Sequence, residues 1–155
     1  MVPPSGETSE PWVGVLGSGD AEAMALHLKS LGREERVLWL ATPSAAPERI
    51  QAAVQQMLAA GLCYGIREPG RGRLIYLGQC MPGDRPGGVE LAFSATPDAR
   101  GGPTLLALAW LLPRLAADGV QFVELRYRYN PAMEALVTRL QWRCETTRDG
   151  HRACF

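Results

Sequence analysis

At Gly61 the hydrophobic period of the chain changes, and that change restricts the fold more than any other feature. Before it, apolar residues recur at helical spacing. AEAMALHLKSLG offers a face of Ala23, Leu26, Leu28 and Leu31, and a stretch opening at Pro47 offers Ile50, Val54, Met57 and Leu58. Proline near the first turn and glycine just past the last are what helix ends favour. After Gly61, LCYGIRE, a Pro-Gly-Arg-Gly turn and RLIYLGQCM read as an antiparallel hairpin. VELAFSA predicts a third strand, Thr104 to Asp118 a helix closed by Gly119, and VQFVELRYRY a long strand with period-two alternation.

The remaining segments are shorter. WVGVL, from Trp12 to Leu16, predicts a leading strand, and Asp20 an N-cap accepting the orphan amides of the helix after it. Arg33 to Ala41 predicts a short helix, with Thr42 or Ser44 capping the Pro47 helix. Asn130 precedes PAMEALVTRLQW, where Pro131 suits a first helical position, and WRCETTRDGHRACF reads as two short strands around Arg-Asp-Gly. The order α, α, β, β, β, α, β, α, β, β predicts an α/β fold, a mixed sheet with helices on its faces.

A chain of 155 residues fits one domain, expected over residues 12–155 after a loose Pro-, Ser-, Gly- and Glu-rich tail, 1–11. Sixteen basic residues balance sixteen acidic ones, so no net field favours nucleic acid or an anionic membrane. Lys29 is the sole lysine. Cys63, Cys80, Cys144 and Cys154 show no metal-ligand spacing and read as small buried residues or free thiols, with no metal expected. The first residues lack the basic and apolar segments of a signal peptide, and no apolar run reaches the roughly 18 residues of a membrane span. A cytoplasmic protein is expected.

GVELAFSATPDARGGPTLLALAWLLPRLAADGVQFVELRYRYNPAMEALVTRLQW resembles the bacterial GNAT acyltransferases with an ELAFSV-type central strand. ARGGPT lies where that family carries Arg/Gln-x-x-Gly-x-Gly/Ala. Asn130, Met133, Leu136, Leu140 and Gln141-Trp142 look like its Asn-x-x-Met-x-x-Leu…Leu-Gly-Phe helix. HLKSLGREERVLWLATPSAAPERIQAAV is similar to its paired first helices. The likeness runs from about Trp12 to Phe155 and implies a largely antiparallel mixed sheet of about six or seven strands flanked by about four helices.

It also implies acyl transfer from acetyl-CoA to an amine of a small molecule or protein. The main chain of Phe93, Ser94 and Ala95 would pair with pantetheine. Pyrophosphate would sit on the amides of Gly101, Gly102, Thr104 and Leu105 at a helix N-terminus, with Arg100 adding a charge-assisted contact. Asn130 either bonds pantetheine or caps its helix. Glu90 is the candidate general base; its other reading is a carboxylate facing solvent or an arginine.

The pattern departs from the family at chemical positions. Starting the loop motif at Arg100 puts Pro103 and Leu105 on its two glycines; starting at Ala99 puts Gly102 and Thr104 there but loses the basic residue. Proline also removes an amide donor. Val137 stands where many members carry a tyrosine acid, and Gln141-Trp142 replaces Gly-Phe. These departures carry a second reading: a degenerate GNAT fold that senses a ligand, binds a protein partner or serves as a homodimer module. His27 and His151 read as surface or packing residues, and two of the four residues Arg126 to Tyr129 are expected to face solvent.

Overall fold

The computed structural model describes residues 10–70, 72–99, 102–125, 138–139, 143–147 and 150–154. Most of the tail, the helix expected after Asn130 apart from the helical pair Thr138 and Arg139, and the Arg126 to Tyr129 run lie outside them. The elements are β1 (Trp12–Leu16), α1 (Ala21–Ser30), α2 (Arg33–Leu40), α3 (Pro47–Ala60), β2 (Leu62–Arg67), β3 (Leu74–Pro82), β4 (Gly88–Ala95), α4 (Gly102–Ala117), β5 (Phe122–Leu125), β6 (Arg143–Thr147) and β7 (Gly150–Cys154). Single 3-10 turns lie at Ser18–Asp20 and Pro97–Ala99.

Five strands form one sheet in the order β1-β2-β3-β4-β5. The first three pairings are antiparallel and β4–β5 is parallel, because α4 carries the chain back across the sheet before β5 begins. The tail hairpin, β6 with β7, is a separate two-stranded sheet with β7 beside β5. The six or seven strands expected in one sheet are thus divided five and two, while the four helices are present.

Strand alternation divides the interior in two. On one face Tyr64, Ile66, Tyr76, Leu91, Val123 and Leu125 pack against Leu108, Leu111 and Leu115 of α4. On the other, Cys63, Leu74 and Leu77 meet Met24 and Leu28 of α1 and Ile50, Val54 and Met57 of α3, with Trp39 and Leu40 of α2 at the margin. Gly78 is dictated by the first of these cores: a Cβ there would lie 2.2 Å from Cζ of Tyr64, whose ring crosses β3 at that point. Gly119, at φ 86, ends α4 in the left-handed conformation that glycine adopts without strain.

Several expectations are corrected. The buried face of α1 is Met24, His27, Leu28 and Leu31, whereas Leu26 is 60% exposed. The Asp20 carboxylate makes no cap bond to α1; it accepts the Gly17 amide at 2.9 Å and pairs with Arg67 of β2. Those contacts, the Gly17 bond foremost, hold its pKa below the ordinary 3.8. Neither Thr42 nor Ser44 caps α3. Its N-cap is Ala46, whose own amide donates to Ser44 Oγ at 3.2 Å. Cys63 and Cys80 are buried free thiols, as expected, and burial pushes the Cys80 thiol up to about 11.

Candidate active site

Because β4 alternates, Glu90, Ala92 and Ser94 lie on the face toward α1 and α3, and Leu91, Phe93 and Ala95 on the face toward α4. Phe93 stacks on Tyr76 with ring centroids 5.7 Å apart. Its side chain belongs to the α4 core, so any ligand contact of this residue goes through its main chain. Ala95 pairs with Tyr76 and Ser94 with Leu77 across β3. On its other edge β4 pairs with β5 from Gly88 to Leu91 among the described residues.

Glu90 is half-buried, paired across the ladders with Met81 on one side and Glu124 on the other. Direct register on parallel strands places the two glutamates on one sheet face. Glu124 is fully buried; Arg85, about half exposed, reaches its Oε1 with both Nε and Nη2 at 3.3 Å. The sequence reading did not single out Glu124. A glutamate inside an alternating run, in register with the candidate base, is the signal that was available.

The turn after β4 is held by charge. Thr96 N–H donates to Ile75 O at 2.9 Å, and Asp98 Oδ2 meets Arg73 Nη2 at 2.6 Å, with Glu68 Oε1 on the same guanidinium at 2.5 Å. The Arg73 bond lowers the Asp98 pKa, and the two carboxylates raise that of Arg73. Asp98 is therefore taken by Arg73 of the β2–β3 hairpin. Helix α4 starts at Gly102, two residues before the expected Thr104, so Pro103 lies in its first turn together with Thr104 and Leu105. Among the described residues nothing lies within 4 Å of the position a Cβ on Gly102 would take. Arg100, Gly101 and Asn130 lie outside the described residues, as do Val137 and Gln141-Trp142.

His27, read as a surface or packing residue, is a packing residue. It is 2% exposed and bridges three elements: Nδ1 lies 2.9 Å from Leu74 O at the start of β3, and Nε2 lies 2.8 Å from Ser94 Oγ on β4. Trp39 Nε1 of α2 donates to the same Ser94 oxygen at 3.1 Å. The spacing 24, 27, 28, 31 is one helix face, i, i+3, i+4, i+7, and would have put His27 inward had Met24 been read as the start of the stripe. Burial lowers the His27 pKa below the ordinary 6.5, against the opposing Leu74 bond.

The folded protein therefore binds fewer protons at His27 than the unfolded chain does. Stability is expected to fall as pH drops below 6.5, by at most about 1.4 kcal/mol per pH unit from this group. Urea melts in buffers either side of that value check it: the wild-type loss should exceed that of His27→Gln, and equal slopes would refute the assignment.

No protein-family model matches the chain, and no curated protein matches it in sequence. Solved structures do match in shape. The ribosomal-protein-S5-alanine acetyltransferase of Vibrio fischeri superposes with a TM-score of 0.64 at 13% identity, covering 93% of this chain and 91% of its own. The PaiA N-acetyltransferase of Thermoplasma acidophilum, solved with coenzyme A, gives 0.66 at 14% identity over 94% and 97%. A GNAT family acetyltransferase of Brucella melitensis, solved with acetyl-CoA, gives 0.64 at 14% over 95% and 88%. These likenesses cover nearly the whole chain and at such identities speak of architecture: the chain has the GNAT fold.

Proposed function

We propose that the protein transfers an acyl group, acetyl in the simplest case, from coenzyme A to an amine. The observation that carries this reading is continuity: the strand bearing Glu90 runs into a short turn and then into the N-terminus of α4. Coenzyme A supplies the activated thioester. The residues fit such a ligand at the turn: Gly102 faces open space, the first-turn amides of Gly102, Thr104 and Leu105 are donors at a positive helix end, and Arg73 offsets the charge of Asp98. In this reading the main chain of Phe93, Ser94 and Ala95 holds pantetheine, Arg100 and Gly101 complete the phosphate turn, and Asn130 bonds pantetheine.

Glu90 takes a proton from the acceptor ammonium, freeing the nitrogen lone pair for direct attack on the thioester carbon. The described residues contain no helix long and apolar enough to cross a membrane. Among them there is also no cluster of three or more metal-ligating side chains.

One observation favours the second reading, a fold that binds or senses without transferring: Pro103 removes a first-turn donor at the phosphate site. Titration calorimetry with coenzyme A and acetyl-CoA decides between the readings. Binding followed by thiol release in the presence of an amine panel supports transfer. Binding without release supports sensing, and no heat at millimolar ligand removes the transfer reading. Pro103→Gly restores one amide to the helix end and is expected to tighten coenzyme A about tenfold, the worth of one hydrogen bond to a charged group. Unchanged affinity would show that residue 103 does not face the phosphate.

A further inference from the structure

The His27–Ser94–Trp39 cluster has a fixed polarity. Leu74 O can only accept, so the proton of neutral His27 sits on Nδ1, and Nε2 presents a bare lone pair. The Ser94 hydroxyl must then donate to Nε2, at 2.8 Å. Its oxygen accepts the Trp39 indole N–H at 3.1 Å. A hydroxyl donating to an imidazole, the imidazole oriented by a third group, and a further donor aimed at the hydroxyl oxygen make the arrangement of a base-activated nucleophile.

We propose that Ser94 and His27 form a nucleophile–base dyad that accepts an acyl group from an activated ester or thioester, a chemistry separate from the Glu90 route. Ser94 Oγ attacks the carbonyl carbon while its proton passes to His27 Nε2. The tetrahedral adduct collapses with loss of thiolate or alkoxide, which takes the proton from Nε2, leaving an ester on Ser94 and a neutral imidazole. Water or an amine then attacks that ester, again giving its proton to Nε2, and the serine is regenerated. The Trp39 N–H stabilises charge on the serine oxygen as the proton leaves. Burial keeps the imidazole unprotonated at neutral pH, the state a base needs.

Ser94 is 8% exposed, so the acyl donor used to test the dyad has to be small. The full chain is treated with p-nitrophenyl acetate, and separately with a small alkyl fluorophosphonate, which labels serines activated by a base. p-Nitrophenolate release and peptide mapping by mass spectrometry are the readouts. Neither probe needs the coenzyme A site, so failure here and failure of coenzyme A binding are distinguishable.

The dyad predicts phosphonate on Ser94, and acetate ester hydrolysis or a stable acetyl ester that disappears in Ser94→Ala. It also predicts a fall of about 10²-fold or more in reaction at Ser94 in His27→Gln. Absence of both adducts and of Ser94-dependent hydrolysis in the wild type overturns the proposal. So does acetylation confined to the exposed Lys29, or an undiminished reaction in a His27→Gln protein that keeps its circular dichroism. If His27→Gln does not fold, the wild-type phosphonate result decides alone.

Discussion

Replacing Glu90 by Gln is expected to lower acetyl transfer to an amine by about 10²- to 10³-fold, the usual worth of a general base. Coenzyme A affinity should stay within about twofold, because the side chain lies on the α1 face of β4 while the turn proposed to hold phosphate begins beyond Ala95. Glutamine keeps the shape and can still accept a hydrogen bond, so the loss isolates proton transfer. Steady-state kinetics with calorimetry on one preparation check it. A variant that binds coenzyme A and turns over at the wild-type rate would remove Glu90 from the chemistry. Transfer that survives Glu90→Gln but disappears in Ser94→Ala would move the reaction onto the dyad.

A second substitution should have the largest effect on stability. Gly78→Ala places a methyl group 2.2 Å from Cζ and 2.5 Å from the hydroxyl of Tyr64. That ring has nowhere to go: Tyr76 lies 5.9 Å from its centroid and Trp110 6.3 Å, and all of its surface is buried. Overpacking at a rigid aromatic should cost about 3 kcal/mol, which for a domain of this size lowers Tm by roughly 10 °C. Shrinking the obstacle should recover part of the loss, so Gly78→Ala with Tyr64→Leu is expected to couple favourably by about 1 kcal/mol or more. Strictly additive losses in thermal and denaturant melts would place the cost elsewhere, in the strand backbone.

The elements that local signals define were the legible ones. Pro47 opens α3 and Gly119 closes α4 because these residues carry their own backbone preferences into any context, while Gly61, extended after α3, leaves room for Cys80 O, 2.5 Å from where a Cβ would lie. The hairpins around Gly70 and around Arg-Asp-Gly declared themselves in the same way. Helix α4 begins earlier than expected because Pro103 is as acceptable in a first turn as Pro47 is. Along Glu90 to Leu105 the succession of strand, turn and helix start was legible, as far as the described residues go.

What stayed hidden depends on contacts far apart in the chain. His27 meets Leu74 and Ser94 at separations of 47 and 67 residues, and no local pattern names those partners. Asp20 looked like a cap because its neighbours form a helix, but its carboxylate is shared between the Gly17 amide and Arg67, the latter also 47 residues away. Glu124 follows the alternation of its strand, yet only sheet order reveals that β5 lies against β4 and brings it beside Glu90. Alternation fixes which residues share a face of one strand; it does not say which strand comes next to it.

The sheet is a partition between two side-chain populations. Tyr64, Tyr76, Phe93 and the α4 leucines lie on one side of it, and Glu90, Ser94, His27 and Trp39 on the other. For laboratory evolution this is a practical asset. Positions on the α1–α2 side can be randomised for new acceptors while the α4 side is left untouched, and gains made by repacking the α4 side should carry over unchanged to each selected variant.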